Sequence, residues 1–204
     1  GDVYKRQAVS KREMIANDED EVTVTARLLD VSGNPVRVAG VIVDFSFDGA
    51  STGAGSFAIP SVETSSDGEA TTVFTATGAG ELLVTAAASY LNRPLAPLGD
   101  DDGTAIAVSV LPGAAAAVRL SGQADLVGLG QEMQVTAQLV DTFGNAVFES
   151  GRTVSFAVQP SSAGAVSPVS VALDADGRGT TVFTAGDARS VVTISATALS
   201  LIHI

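Results

Sequence analysis

The sequence predicts an all-β fold built as two tandem β-sandwiches, the second lacking its last strand. Three observations carry this. The chain repeats itself: EVTVTARLLDVSGNPV from Glu21 returns as EMQVTAQLVDTFGNAV from Glu132, and DGEATTVFTA from Asp67 returns as DGRGTTVFTA from Asp176. Both blocks keep their order and a nearly constant offset, so one folding unit of domain size occurs twice. Apolar and polar residues alternate with a period of two, the pattern of half-buried antiparallel strands. No segment carries a convincing amphipathic helical period.

The elements follow in order. A weak opening strand is expected near residues 9–16. In the next, Val22, Val24, Ala26 and Leu28 alternate with Thr23, Thr25 and Arg27, and the second copy answers with Met133, Val135, Ala137 and Leu139 against Gln134, Thr136 and Gln138. Further strands are read at 41–47, 56–64, 70–77, 81–89 and 104–110, with Gly, Pro, Asn and Asp marking the turns between them. Phe74 and Phe183, with Phe45 and Phe156, are expected to face each other across the two cores. Seven short strands in roughly a hundred residues, alternating and regularly turned, indicate an immunoglobulin-like sandwich.

The two ends are read separately. DVYKRQ at residues 2–7 can be encoded GAT GTG TAT AAG AGA CAG, and the reverse complement of that word translates as LSLIHI, residues 199–204. The word resembles a transposase end sequence used in preparing sequencing libraries. Both hexapeptides are therefore expected to be adapter translations and are set aside from the fold. On this reading the modules span 8–112 and 113–198, as an internal stretch of a longer product. The second module then stops after the equivalent of 81–89, before its closing strand.

Composition narrows the chemistry. Cys and Trp are absent, and the single histidine, His203, lies in the terminal hexapeptide. Ser-His and Cys-His nucleophile pairs cannot be assembled without His or Cys, so no catalytic residue is expected. Zinc sites built on thiolate and imidazole are excluded in the same way. The formal charge is −12, and an acidic surface repels phosphate backbones, which argues against a nucleic-acid partner.

The pattern VTA-x-L-x-D-x-x-GN-x-V, then V-x-F, then DG-x-x-TTVFTA, then V-[TS]-A resembles the bacterial Ig-like repeats of the invasin and intimin group. The resemblance runs through both modules. It implies tandem stalk modules on a bacterial surface or a secreted protein, with neighbouring Ig-like modules as their immediate partners. Contact with a host or cell-surface protein or glycan would then belong to other domains. The chain departs from the pattern at the insertion 90–103.

The repeated turn has a reading of its own. Asp30 continues the inward phase of its strand, and Asp141 does the same in the second copy. A carboxylate there is placed to accept from turn amides at Gly33-Asn34 or Gly144-Asn145. Gly and Asn tolerate positive φ and Asp bonds nearby backbone, so an Asx-type turn accounts for the spacing without an ion. A metal ligand is the alternative.

Two acidic runs stand apart from that motif: Asn17-Asp18-Glu19-Asp20-Glu21 and Asp100-Asp101-Asp102-Gly103. The first lies in a turn expected to face module two. With Asp141, Asp174 and Asp176 it makes Asp18, Glu19 and Asp20 weak candidates for Ca²⁺, which takes six to eight oxygens. Merely solvated turns are the blander expectation, with no cofactor. Phe143, an apolar residue in a turn, is expected between the modules. The function read from all this is a non-catalytic stalk or spacer of an extracellular, surface-attached or secreted adhesin-like protein. The alternative is an accessory module of a secreted polysaccharide-active or cell-wall enzyme.

Overall fold

The computed structural model describes residues 2–98 and 105–198. The acidic run at 100–103, the start of the strand expected at 104 and the hexapeptide 199–204 lie outside them. The chain divides into two compact units, the first ending at Pro112 and the second beginning at Gly113.

The first unit contains β1 (Val3–Val9), β2 (Glu13–Ala16), β3 (Val22–Asp30), β4 (Ile42–Phe47), β5 (Ala54–Phe57), β6 (Ser61–Glu63), β7 (Glu69–Gly78), β8 (Gly80–Tyr90), β9 (Arg93–Pro94) and β10 (Ile106–Pro112). One sheet runs β1-β3-β7-β5 and the facing sheet β2-β10-β8-β4-β6, with β9 as a short hairpin on β8. Every pairing is antiparallel except that of β2 with β10. This is an immunoglobulin-like sandwich. The alternation places the core: Val22, Val24 and Ala26 of β3 point inward and meet Phe45, Leu82, Val84 and Val108 from the other sheet, while Leu28, also inward, packs with Val41 and Leu95.

The second unit contains β11 (Ala117–Gly122), β12 (Glu132–Val140), β13 (Thr153–Gln159), a single 3-10 turn (Ser161–Ala163), β14 (Gly164–Ser167), β15 (Ser170–Ala172), β16 (Arg178–Ala185) and β17 (Thr193–Ala198). Its sheets run β11-β12-β16-β14 and β15-β13-β17. The core gathers Val135, Ala137, Leu139, Val154, Phe156 and Phe183. Among the described residues nothing pairs with the outer edge of β17, the place that β10 holds on β8 in the first unit.

Three expectations are corrected. The opening strand of the first unit is two strands, because the chain changes sheets at Ser10. There Ser10 exchanges bonds with Thr23, its amide donating to the Thr23 carbonyl and its hydroxyl accepting from the Thr23 amide. Past that point β2 buries Met14 and Ala16 and seals the opposite sheet against β10.

Residues 3–7, set aside as foreign, form most of β1. Their inward positions carry Lys5 and Gln7 rather than apolar side chains. Gln7 donates to the Val84 carbonyl, but its own carbonyl oxygen is buried without a partner. Burial likewise pushes the Lys5 ammonium pKa below its ordinary value.

The strand expected at 56–64 is also two, β5 on β7 and β6 on β4, and the second unit repeats this as β14 and β15. A proline, which has no N–H to give a ladder, sits in each crossing: Pro60 and Pro168. In each unit a buried threonine satisfies the crossing backbone, Thr72 donating to the Ile59 carbonyl and Thr181 to that of Pro168, both at 2.7 Å. With these splits and β9, the described strands number ten and seven rather than seven and six.

The described part of the insertion, up to residue 98, packs on its own unit. Leu95 is buried with Leu28 and Val41, and the backbone of residues 96–98 brackets Lys5 through Lys5 N to Ala96 O and Leu98 N to Lys5 O, both 3.0 Å.

Candidate functional site

The repeated turn is built by one carboxylate in each unit. At the end of β3, Asp30 Oδ1 accepts the amides of Ser32 (2.8 Å) and Asn34 (2.9 Å), and Oδ2 accepts the Asn34 side-chain amide at 3.0 Å. Gly33, at φ +81°, gives its N–H to the Asp30 backbone carbonyl instead. At the end of β12, Asp141 Oδ1 accepts the amides of Phe143 and Asn145, both at 2.9 Å. Its Oδ2 accepts the Asn145 side chain at 2.8 Å, and Gly144 takes φ +86°.

The copies differ in one partner. Asp141 Oδ2 also accepts the amide of Gly113, the first residue of the second unit, at 2.9 Å. Asp141 is 3% exposed. Its carboxylate therefore holds the entering chain as well as its own turn.

The electrostatics follow. For Asp30, hydrogen bonds from the Asn34 side chain and amide outweigh desolvation and hold the carboxyl below its ordinary value. For Asp141, burial is the largest single influence and acts upward. The Asn145 side chain and the amides of Gly113, Asn145 and Phe143 together exceed it, so the net shift is downward.

A group whose folded pKa is depressed stabilises the fold fully above its unfolded value and loses that contribution as pH falls through the folded one. Asp141 should therefore support the second unit above about pH 5 and fail progressively below about pH 4. Asp141→Asn is expected to lower stability at neutral pH and to flatten the acid limb of the second unit's unfolding. Urea melts recorded from pH 7 to acid decide it: parallel curves for variant and parent would exclude the linkage.

A second turn lies beneath the first. Gly68 and Gly177 have φ of +76° and +68°, and a Cβ on either would lie 2.0 Å from a backbone oxygen, that of Val36 or Val147. Each glycine carbonyl accepts from β3 or β12, through Leu28 N or Leu139 N at 3.0 Å. In the second unit Asp174 Oδ1 accepts the amides of Asp176 and Arg178, both at 2.9 Å.

Sequence reasoning missed the side-chain pair that braces this turn. Arg27 and Glu69 form an ion pair across β3 and β7. At the matching register the second unit has Gln138 and Arg178, with Arg178 Nε donating to Gln138 Oε1 at 2.7 Å. Gln138 is buried, and its amide also donates to the carbonyls of Leu139 and Asp176. The exchange of Arg–Glu for Gln–Arg between the copies was the available signal.

The remaining candidates are committed locally or exposed. Asp20 pairs with Lys11 and accepts the Ile15 amide at 2.9 Å, and both bonds, Lys11 first, lower its pKa. Asp18 accepts the Thr75 hydroxyl at 2.8 Å, while Glu19 and Asp176 are exposed. Among the described residues no group of three or more carboxylates gathers to hold a cation. Phe143, at the tip of its turn, is 46% exposed.

Residues 6–93 match the family model described as bacterial Ig-like domain (group 1). No curated protein matches the sequence. Among solved structures, the Escherichia coli adhesin FdeC is similar at 17% identity and a TM-score of 0.48, over 95% of this chain and 59% of that one. The Yersinia pseudotuberculosis adhesin InvE is similar at 20% and 0.44, over 95% and 55%. The D0-D1 domain of intimin is similar at 19% and 0.42, over 97% and 92%. The chain thus spans a little over half of the first two.

Proposed function

We propose that this chain, whose residues 6–93 match the bacterial Ig-like domain (group 1) model, is a non-catalytic stalk segment of a bacterial adhesin-like protein, displayed at the cell surface or secreted. The observation that carries the reading is the bond from Gly113 to Asp141. A stalk needs modules that fold independently and connections that do not flop. Here the residues between β10 and β11, 113–116, are already tied to the second unit, Gly113 N by Asp141 Oδ2 and Ala116 N by the Val140 carbonyl at 2.8 Å. Pro112 immediately before them is stiff. The repeated carboxylates are spent on their own turns, which suits a structural motif better than a reactive one. Recognition of a host or surface molecule is assigned to other domains, and the location outside the cell rests on the same reading.

The test is limited proteolysis of the whole chain. Cleavage at residues 113–116 is expected to be slow in the parent and clearly faster in Asp141→Asn, which loses an acceptor for the Gly113 amide. A parent cut there as fast as the variant would overturn the stalk reading.

A further inference from the structure

β1 is the outer strand of its sheet, and it pairs with β3 along its whole length, from Val3 opposite Asp30 to Val9 opposite Val24. A long edge is a row of backbone donors and acceptors that another chain can join. Alternation along an antiparallel pair turns the backbone groups of Lys5 and Gln7 away from β3.

The insertion after β8 reaches this edge from the other sheet. It turns at Leu91 and Asn92, and β9 runs back along β8. Leu95 N donates to Ala88 O at 2.9 Å, and the Leu95 side chain is buried against Leu28 and Val41. The chain then passes directly to β1. Pro97 lies opposite Lys5 in parallel, with Lys5 N donating to Ala96 O and Leu98 N donating to Lys5 O. One short segment is thereby bonded to both sheets.

Two details set it apart from an ordinary loop. In a parallel bridge the residue opposite, here Pro97, directs its own backbone groups outward, and proline has no N–H. The segment covers β1 without offering a donor to a further strand at that position. The second detail is strain. Leu91 has φ +50° and is 78% exposed. A bulky residue is disfavoured there and persists only where its surroundings fix it. Here the β9 pairing on one side and the buried Leu95 beyond it do so.

We propose that residues 91–98 are an edge guard, which covers β1 and keeps the first unit from joining a second copy strand to strand. The guard bonds to the backbone of β1, so it does not depend on which side chains β1 carries. It is also independent of the stalk reading, since it concerns one edge of one unit.

Two variants of the full chain test it, at physiological salt so that the net charge of −12 is screened. Leu98→Pro removes a donor to β1 and leaves Leu95 in place, whereas Leu95→Asp removes the apolar anchor. Hydrogen exchange of the Lys5 amide is expected to speed about tenfold or more in each. Sedimentation should then show self-association that grows with concentration and is absent from the parent, with the Gln7 amide protected in the associated form. Should Leu95→Asp abolish the first unit's urea transition, Leu98→Pro decides alone. The proposal is overturned if Lys5 exchange is unchanged, or if the released edge leaves the chain as monomeric as the parent. A parent that itself associates with Gln7 protected overturns it equally.

Discussion

Replacing Phe74 with alanine is expected to cost the first unit about 3–5 kcal/mol, the range for emptying a buried aromatic site. Phe74 is 0% exposed and sits on β7, yet its ring meets Phe47 of β4, in the opposite sheet, edge-on at 5.2 Å. It also meets Phe57 at 5.4 Å, and Phe57 stacks on Phe47 at 4.5 Å. The ring thus joins the two sheets, and its loss leaves a cavity beside Phe47 and Phe57. Edge-to-face contacts add to the transfer term.

The chain offers a clean readout. Both tyrosines, Tyr4 and Tyr90, belong to the first unit, and there is no tryptophan. Tyrosine fluorescence in urea therefore follows the first unit, whereas circular dichroism follows both. The variant should move the fluorescence midpoint and leave the second unit's transition where it was. A fluorescence midpoint that stays put would mean that the ring is not part of the core.

What was legible in the sequence was whatever a period of two records. β3 and β12 each put Val, Ala and Leu inward at every second position, and that alone placed both cores. The crossings at Pro60 and Pro168 were not legible, because each shifts the inward phase by one, from Phe57 to Val62 and from Val166 to Val171, and runs of three or four residues are too short to show the break. β1 escaped the reading because residues 2–7 were set aside as an adapter translation, and its inward positions, Lys5 and Gln7, are not ones an alternation rule places in a core.

At the turns, the Asp-x-x-Gly-Asn spacing was enough to set Asp30 and Asp141 beside local amides. It held no trace of Gly113, a donor 28 residues from Asp141. The Gln138–Arg178 brace left only the exchange of Arg–Glu for Gln–Arg between the copies as a trace, and that these residues face each other needed the register of β12 on β16.

Gly177→Ala is expected to destabilise the second unit by about 3 kcal/mol, at the severe end for one added methyl. Two costs combine. At φ +68° an L side chain crowds its own backbone, for about 1–2 kcal/mol. The new Cβ would also lie 2.0 Å from the Val147 oxygen and 3.2 Å from its carbon, a distance no contact tolerates. That carbonyl cannot simply retreat, because the Val147 amide donates to Leu139 O at 2.9 Å and Leu139 N donates to Gly177 O at 3.0 Å. Moving Val147 loosens the bonds that close the end of the sandwich beside Asp141.

Gly144→Ala separates the terms. Gly144 takes φ +86°, but a Cβ there has nothing within 4 Å, so only the conformational cost remains. Hydrogen exchange along β12 and β16, with chemical denaturation followed by circular dichroism, ranks the two variants. Gly177→Ala should cost clearly more than Gly144→Ala and should speed exchange at Leu139. Equal costs would mean that the close approach of the Val147 carbonyl contributes nothing, leaving the positive φ as the whole reason for glycine at both turns.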